Sequence, residues 1–163
     1  MLYSNDSIRR QDRILEEASA VALLKSGEYG VLSMVDKDSV AYGIPINYAW
    51  NSKESIYLHC ALEGQKLQNM DLNNRVSFCV VGKTNVISNQ FTTEYESIIL
   101  ECEASRNLSK DERMNALSLI LDKYSPQDKV VGMKYAEKSF ARTEIIKLEI
   151  KKWTGKSKSQ NHK

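Results

Sequence analysis

Apolar residues recur along this chain with two different periods, which divide it into helices and strands. A spacing of three and four predicts a long helix over 11–27, a short one over 64–74 and a second long one over 109–125, where Ser109 and Glu112 are placed as a capping box. Alternation and short apolar runs predict strands, which turn-forming stretches such as "DKDS" and "NSKES" separate. The chain is therefore expected to contain about six mostly sequential, antiparallel strands and three helices.

A sheet of about six strands tends to curl or close, because closure removes its unpaired edges. A small barrel with helices outside is the natural architecture, and the pattern alone does not choose among barrels. The strand over 75–83 is apolar at most positions, which predicts burial of both its faces. The strand over 41–50 carries Pro45 at its centre, which favours an edge strand or a ligand lying against the backbone.

Length, charge and cysteine content limit the kinds of function. The 163 residues suit one domain, and a net charge of +2, from 23 basic and 21 acidic residues, is too balanced to indicate nucleic acid or an anionic membrane as the main partner. No apolar run approaches the length of a membrane span, and the N-terminal segment lacks the apolar part of a signal peptide. Three cysteines in separate strand-like runs predict buried, reduced thiols in a cytoplasmic protein, and no spacing indicates a metal site.

Residues that are able to bind a ligand or to take part in catalysis concentrate where the third strand passes into the short helix, in "YLHCALEGQKLQNM". His59 lies on the face opposite the aliphatic residues, Gly64 follows, and Lys66 falls in the first helical turn. A lysine there costs on the order of 0.3–1 kcal/mol, because its charge meets the positive end of the helix dipole. A bound anion would reverse that sign, so a phosphate site is one interpretation. A solvated lysine beside a half-exposed histidine is the other.

Three motifs occur along the chain: G-x-P-x-N-Y at 43–48, H-x-A-x-x-G-x-K at 59–66 and F-T-T-x-Y-x-S at 91–97. With the segments around them, from about Arg9 to Lys156, they resemble the pyridoxamine 5′-phosphate oxidase-related proteins. The resemblance is strongest to the branch that contains the 5-nitroimidazole resistance proteins. It implies a mainly β, α+β fold, a six-stranded antiparallel split β-barrel with flanking α-helices, which binds FMN at the interface of a homodimer.

The resemblance also implies where FMN is held. The strand backbone over 45–47 is expected beside the isoalloxazine ring. The turn over 59–66 is expected around the phosphate and ribityl chain, and a row of hydroxyl groups is expected to form a polar wall. The expected contacts are Pro45, Ile46, Asn47, Tyr48, His59, Cys60, Ala61, Gly64, Lys66, Thr93, Tyr95, Ser97, Trp153 and Lys156. A solvated strand face is the alternative for the hydroxyl row, and packing at the end of the last strand is the alternative for Trp153.

A single domain is expected over residues 1–156, and the polar tail, 157–163, is expected to be disordered. Five aromatic residues are able either to stack on a small planar substrate or to belong to the core: Tyr42, Tyr48, Trp50, Tyr57 and Phe91. For the first three, a place in the core is the expectation.

The expected function is that of an FMN-binding oxidoreductase that reduces nitroimidazoles or other nitro-aromatic compounds. Flavin N5 passes hydride or electrons by itself, so such a site needs no protein acid or base. His59 is nevertheless the candidate catalytic residue, because an ordinary histidine pKa of about 6.5 suits proton delivery, although it serves equally well as a phosphate ligand. Two alternatives remain open: a flavin store or sensor without turnover, and a haem- or deazaflavin-binding split barrel with His59 as the candidate haem ligand.

Overall fold

One sheet of eight strands organises the chain in the computed structural model, which describes residues 1–159. The strands are β1 (Leu2–Tyr3), β2 (Gly30–Val35), β3 (Ala41–Ile46), β4 (Ala49–Trp50), β5 (Ser55–Cys60), β6 (Arg75–Ile87), β7 (Thr92–Ser105) and β8 (Glu144–Lys158). The helices are α1 (Glu17–Ser26), α2 (Gln65–Leu72), α3 (Lys110–Tyr124) and α4 (Lys129–Ser139). Six strands are longer than two residues, so the predicted number is confirmed, and all three predicted helices are present. The predicted start of the first helix at residue 11 is wrong, because Gln11–Arg13 forms a 3₁₀ turn and Ile14 bridges to Lys156 of β8.

The strands follow the order β3-β2-β6-β7-β8-β5-β4, and neighbours on this path pair antiparallel. β1 lies off the path and pairs parallel with β8. β3 and β4 form the two ends, so the sheet stays open instead of closing into a complete barrel. The expected α+β split-barrel fold is thus confirmed, and Pro45 lies in an edge strand, where a missing N–H is tolerated.

The prediction of a single strand over 41–50 is wrong, because the chain turns inward at Tyr48. This ring is fully buried, and its hydroxyl donates to the carbonyl oxygen of Leu24 at 2.7 Å. The backbone N–H of Tyr48 donates to the Tyr124 hydroxyl at 3.0 Å, and the same hydroxyl lies 2.9 Å from the carbonyl oxygen of Tyr48. A side chain of α3 therefore satisfies the backbone groups that a continuous strand would pair with a neighbour.

Two clusters of buried apolar side chains hold the helices to the sheet. The larger cluster contains Leu24 of α1 and Phe78 of β6, with Tyr48 between α1 and the sheet, and Tyr42 and Trp50 pack against it half-buried. The expected core positions of these three aromatic residues are confirmed. The smaller cluster contains Tyr57 of β5 together with apolar side chains of α3, α4 and β8: Ala116, Leu117, Ala136 and Ile145.

The predicted burial of both faces of β6 is wrong. Val76, Phe78 and Val80 are buried, whereas Cys79 is half-buried and Val81 is 55% exposed. Alternation along the strand puts the last two side chains on the opposite face. The helices α3 and α4 do not cover that face, because α3 packs on β4 and β5 and α4 packs on α3.

We call this less covered surface of β2, β6 and β7 the outer face. Ladder pairing places Val31, Cys79 and Ile99 side by side on it, with Pro45 of β3 at its edge. Ile99 is 47% exposed, so the outer face presents aliphatic side chains of two strands to solvent in one chain.

The cysteines depart in part from the sequence-based expectation of buried thiols. Cys102 is buried, but Cys60 and Cys79 are only half-buried, and all three are free. Cys79 is less buried because its side chain points to the outer face.

The prediction that the disordered tail begins at residue 157 is wrong. β8 continues through Lys158, where Ser157 pairs with Glu96 and Lys158 pairs with Tyr95 of β7. The last part of that tail, 160–163, lies outside the described residues, so its predicted disorder stays a prediction.

Helix α4 is the one long element that the apolar pattern does not predict. Val130 and Val131 are exposed, which weakens the periodicity, and Pro126 and Gly132 resemble breakers. In the structure Pro126 begins a short 3₁₀ turn that leads into α4. A Cβ at Gly132 would lie 2.6 Å from the Leu121 side chain, so glycine allows α4 to approach α3 closely.

An unpaired amine lies between α3 and the buried turn at Tyr48. The Lys123 Nζ atom is 3.6 Å from the centre of the Tyr48 ring and has no hydrogen-bond partner among the described residues. Burial lowers the pKa of Lys123 to about 8. The ring face favours the charged amine by about 0.5–2 kcal/mol, which offsets only part of the burial cost.

We expect Lys123→Met to raise the free energy of unfolding at pH 7 by about 1 kcal/mol, because a half-buried, unpaired charge is removed. Since the folded-state pKa lies below the ordinary value of 10.5, the wild-type protein gains stability as pH rises from about 8 to 10.5. The advantage of the variant should therefore shrink over that range in urea unfolding experiments.

The matched control for this prediction is Lys134→Met, which replaces an exposed lysine of α4. It should change stability little at either pH. A loss of stability in Lys123→Met at pH 7 would mean that the contact with the Tyr48 ring outweighs the burial cost.

Candidate functional site

The junction between β5 and α2 forms an open corner. His59 is exposed on β5 while Leu58 is fully buried, as alternation predicts. Gly64 precedes α2 with a φ of 142°, which favours glycine, and a Cβ there would meet nothing within 4 Å. No side chain caps the helix, and Lys66 is its second residue. We call the end of β5 and the start of α2 the α2 corner, where the helix presents free N–H groups and the positive end of its dipole.

Charges near the corner leave one cation uncompensated. Burial raises the pKa of the Cys60 thiol, and the nearby charge of Lys66 acts in the opposite direction. Arg106 is also close, but its guanidinium lies 2.7 Å from an Asp71 carboxylate oxygen and 3.9 Å from one of Glu144. Lys66 takes part in no ion pair among residues 1–159. Lys66 is therefore the cation available to an anion at this corner.

The surroundings of His59 favour the neutral form of its imidazole. Although the side chain is largely open to solvent, its partial burial lowers its pKa below the ordinary value of 6.5. A neutral ring offers one donor and one acceptor nitrogen, so it is able to hydrogen-bond an anion or to carry a proton.

The expected hydroxyl row lies on β7, away from the α2 corner. Thr93, Tyr95 and Ser97 share the face of Ile99, so the row continues the outer face. Ser97 pairs with Lys156 of β8, which brings two more of the expected contacts together.

These two groups of expected contacts lie at opposite ends of β8. His59 pairs with Ile145 near its start, and Ser97 pairs with Lys156 near its end. At ~3.3 Å per residue the two places are about 35 Å apart along the strand. One small ligand therefore does not reach both groups within a single chain.

The third group of expected contacts lies on the chain between β3 and β4. Ala49 pairs with Tyr57, so the same register, if continued, would place Asn47 opposite His59. The chain instead leaves β5 and enters β3 at the other end of the sheet, so the end of β5 has no strand partner on this side. We call this place the β3–β4 gap. The side-chain Nδ2 of Asn47 donates to the carbonyl oxygen of Glu28 at 2.9 Å.

The remaining expected contacts differ in accessibility. Ile46 packs half-buried against the core, and Ala61 is exposed in the loop before α2. The side chains of Tyr48 and Trp153 face the core, and Trp153 is only 1% exposed with its ring against Tyr3. Trp153 thus packs into the core, as the alternative interpretation expects, but from within β8 and not from its end.

Sequence reasoning misses two features of this region. The bond from Tyr48 to the Tyr124 hydroxyl joins residues far apart in the chain, so no local pattern signals it. The apolar character of the outer face is visible as apolar residues in β6, but its exposure depends on where α3 and α4 pack.

Among residues 1–159, no three His, Cys, Asp or Glu side chains gather in a way that would hold a metal ion. Over the same residues, no helix is both long and apolar enough to cross a membrane.

The antiparallel sheet of this chain stays open between its edge strands β3 and β4, and a helix begins beside this opening. This arrangement is that of a split-barrel protein. A family model described as pyridoxamine 5′-phosphate oxidase matches residues 16–157. The match covers most of the chain, which therefore belongs to this family. A search of curated protein sequences finds no match.

Solved structures share the fold at low sequence identity. A candidate 5-nitroimidazole antibiotic resistance protein from Bacteroides thetaiotaomicron is 16% identical, with a TM-score of 0.72, over 89% of this chain and 86% of its own. An FAD-binding protein from Mesorhizobium loti is 20% identical, with a TM-score of 0.67, over 90% and 98%. An FAD- and heme-binding protein from Mycobacterium smegmatis is 16% identical, with a TM-score of 0.70, over 91% and 74%. At these identities the likeness shows the fold.

We expect the pKa of His59 to lie below 6.5 in the free protein, because its side chain is partly buried. An NMR titration of the imidazole signals measures it, with a His162→Gln variant to assign the two histidines. If His59 contacts an anion at the α2 corner, saturating inorganic phosphate should raise this pKa, since the negative charge favours the protonated ring. A pKa that phosphate leaves unchanged would argue against His59 as an anion ligand.

Proposed function

We propose that this protein is an FMN-dependent oxidoreductase that reduces small planar, nitro-aromatic compounds. The observation that carries the proposal is the α2 corner, where an uncapped helix start, the open space at Gly64 and Lys66, which has no ion pair among the described residues, come together. Membership of the pyridoxamine 5′-phosphate oxidase family and the FAD-binding structures with the same fold support it. One helix start and one unpaired lysine match the single phosphate of FMN.

The α2 corner has the donors and the charge that a phosphate group requires. The Lys66 ammonium and the first N–H groups of α2 would hold the phosphate, and Gly64 leaves its approach free of a side chain. A hydrogen bond to a charged group is worth about 1.5–3 kcal/mol. The phosphate would also reverse the unfavourable interaction of Lys66 with the helix dipole.

A bound flavin supplies transfer of hydride or electrons at its N5 atom. The protein's own residues would position the ring and govern protons. Pro45 and Asn47 lie on the segment that turns away at the β3–β4 gap, and the bond of Asn47 to Glu28 holds this segment in place. The imidazole of His59, at the end of β5, would hold or move a proton at a ring nitrogen.

A homodimer with the flavin at its interface is the second part of the proposal. The hydroxyl row and the α2 corner lie about 35 Å apart along β8, so only a second copy of the chain brings both to one ligand. The outer face supports this arrangement, because it carries Ser97 and Lys156 next to exposed Val81 and Ile99. An apolar surface of this kind is typical of an interface.

The exposed imidazole of His59 is the observation that favours the second candidate, a haem-binding protein. The absorption spectrum of the purified protein separates the two, since flavin shows two bands in the near-ultraviolet and blue, and haem shows one dominant Soret band. Oxidation of NADH in the presence and absence of a nitroimidazole then separates an enzyme from a flavin store.

We expect Lys66→Ala to weaken FMN binding by about ten- to a hundredfold, because one charge-assisted contact with the phosphate is lost. Riboflavin lacks the phosphate, so its affinity should be almost unchanged. Fluorescence titration of the apoprotein with each flavin measures both constants.

Two further variants sharpen this comparison. Lys66→Arg should be milder than Lys66→Ala, since charge is kept while geometry changes. Lys134→Ala, on the exposed surface of α4, should bind both flavins as the wild type does. Equal weakening of FMN and riboflavin by Lys66→Ala would show that Lys66 does not contact the phosphate.

We expect the FMN-loaded protein to sediment at about twice the monomer mass of 18.6 kDa at micromolar concentration. Val81→Glu should weaken the dimer, because it places a charge on the exposed apolar part of the outer face. Analytical ultracentrifugation measures both, and a stable, flavin-loaded monomer of the wild type would contradict the homodimer.

A further inference from the structure

The end of the β6–β7 hairpin, residues 84–95, extends past the part of β6 that β2 covers. β2 pairs with β6 only from Ser77 to Cys79, and a bulge between Val81 and Thr84 marks where the extension begins. We call this extension the arm. On its other side β7 keeps its pairing with β8 up to Tyr95, so the arm is anchored along one strand.

The tip of the arm holds an aromatic ring in solvent. Phe91 is 97% exposed and follows the 3₁₀ turn Ser88–Gln90. Its φ of 51° lies in the left-handed region, which costs of order 1 kcal/mol or more for a bulky residue. A backbone that is strained to display a large apolar side chain in water indicates a binding role for that side chain.

The arm prolongs the outer face. Val86 pairs with Thr93 and Thr84 pairs with Tyr95, so these four side chains share the face of the hydroxyl row. Val86 is 74% exposed, which gives the tip a second apolar contact. The tip is too small for a stable interface with an unrelated protein, but it is continuous with the surface proposed to meet a second copy.

We infer that the arm of one protomer reaches the flavin site of the other, formed by its α2 corner and β3–β4 gap, and sets Phe91 against the planar ring system bound there. Phe91 is thus a specificity-determining residue for planar substrates, supplied by the partner copy. Its own α2 corner lies out of reach, because the arm sits at the end of β8 opposite to the strand pair of His59. Aromatic rings favour stacked or edge contacts with other planar π systems. This inference rests on the proposed function.

The first test replaces the Phe91 ring by an indole, which reports contact with the flavin through the flavin fluorescence. Phe91→Trp should strongly quench the fluorescence of bound FMN, because an indole in contact with a flavin quenches its emission. Asn85→Trp is the matched control, since Asn85 is exposed on the opposite face of the same arm, and it should leave the emission unchanged. Equal emission from the two variants would overturn the inference.

Mixed dimers then test whether the contact is made between chains. In the first, a chain with Lys66→Ala and Phe91→Trp is paired with a wild-type chain; in the second, a Lys66→Ala chain is paired with a Phe91→Trp chain. At limiting FMN the flavin occupies the corner that keeps Lys66. The inference predicts quenching in the first dimer only, and quenching in the second only would place the contact within one chain.

A third measurement concerns the substrate. At saturating FMN, Phe91→Ser should raise KM for a nitro-aromatic compound several-fold more than for a non-planar electron acceptor. An equal effect on both acceptors would overturn the specificity role. Failure of the wild-type protein to bind FMN would overturn the proposed function itself, whereas FMN binding without quenching in Phe91→Trp would overturn only the role of the arm.

Discussion

The inward turn of the chain at Tyr48 is the interaction on which the rest of the architecture depends. Its ring enters the core, its hydroxyl binds the Leu24 carbonyl oxygen, and its backbone N–H is held by Tyr124 of α3. Because of this turn, β3 joins β2 at one end of the sheet and β4 joins β5 at the other. The sheet keeps two edges where a closed barrel has none, and the α2 corner opens beside one of them.

The ion pairs near the α2 corner indicate which cation is available to bind an anion there. Two cations lie close to Cys60, but Arg106 is already shared between Asp71 and Glu144. Of these two cations, Lys66 is the one that has no carboxylate partner among the described residues. It lies at the positive end of a helix that no side chain caps. An anion at this corner would therefore be attracted both by the positive charge of Lys66 and by the positive end of the α2 dipole, and it would not displace an existing ion pair.

Local signals in the sequence predict local structure well. Ser109 caps α3 as the sequence predicts, with the Glu112 N–H donating to its hydroxyl at 3.2 Å, but the Glu112 carboxylate accepts from Tyr57 and Lys147 and does not complete the capping box. The exposure of His59 and the helix start after Gly64 also follow from alternation and spacing. The break at Tyr48 does not, because alternation continues through it and its partner is distant in sequence. For the same reason composition shows that β6 is apolar, but only tertiary packing decides which face stays uncovered.

The separation of the two groups of contacts along β8 has a thermodynamic consequence. When residues from two chains hold one ligand, ligand binding and chain association strengthen each other by the same factor. The apparent affinity for the ligand then depends on the concentration of the protein, and dilution releases ligand and separates chains in one process. In the homodimer proposed above, the supply of cofactor would set the fraction of chains that is assembled at low protein concentration.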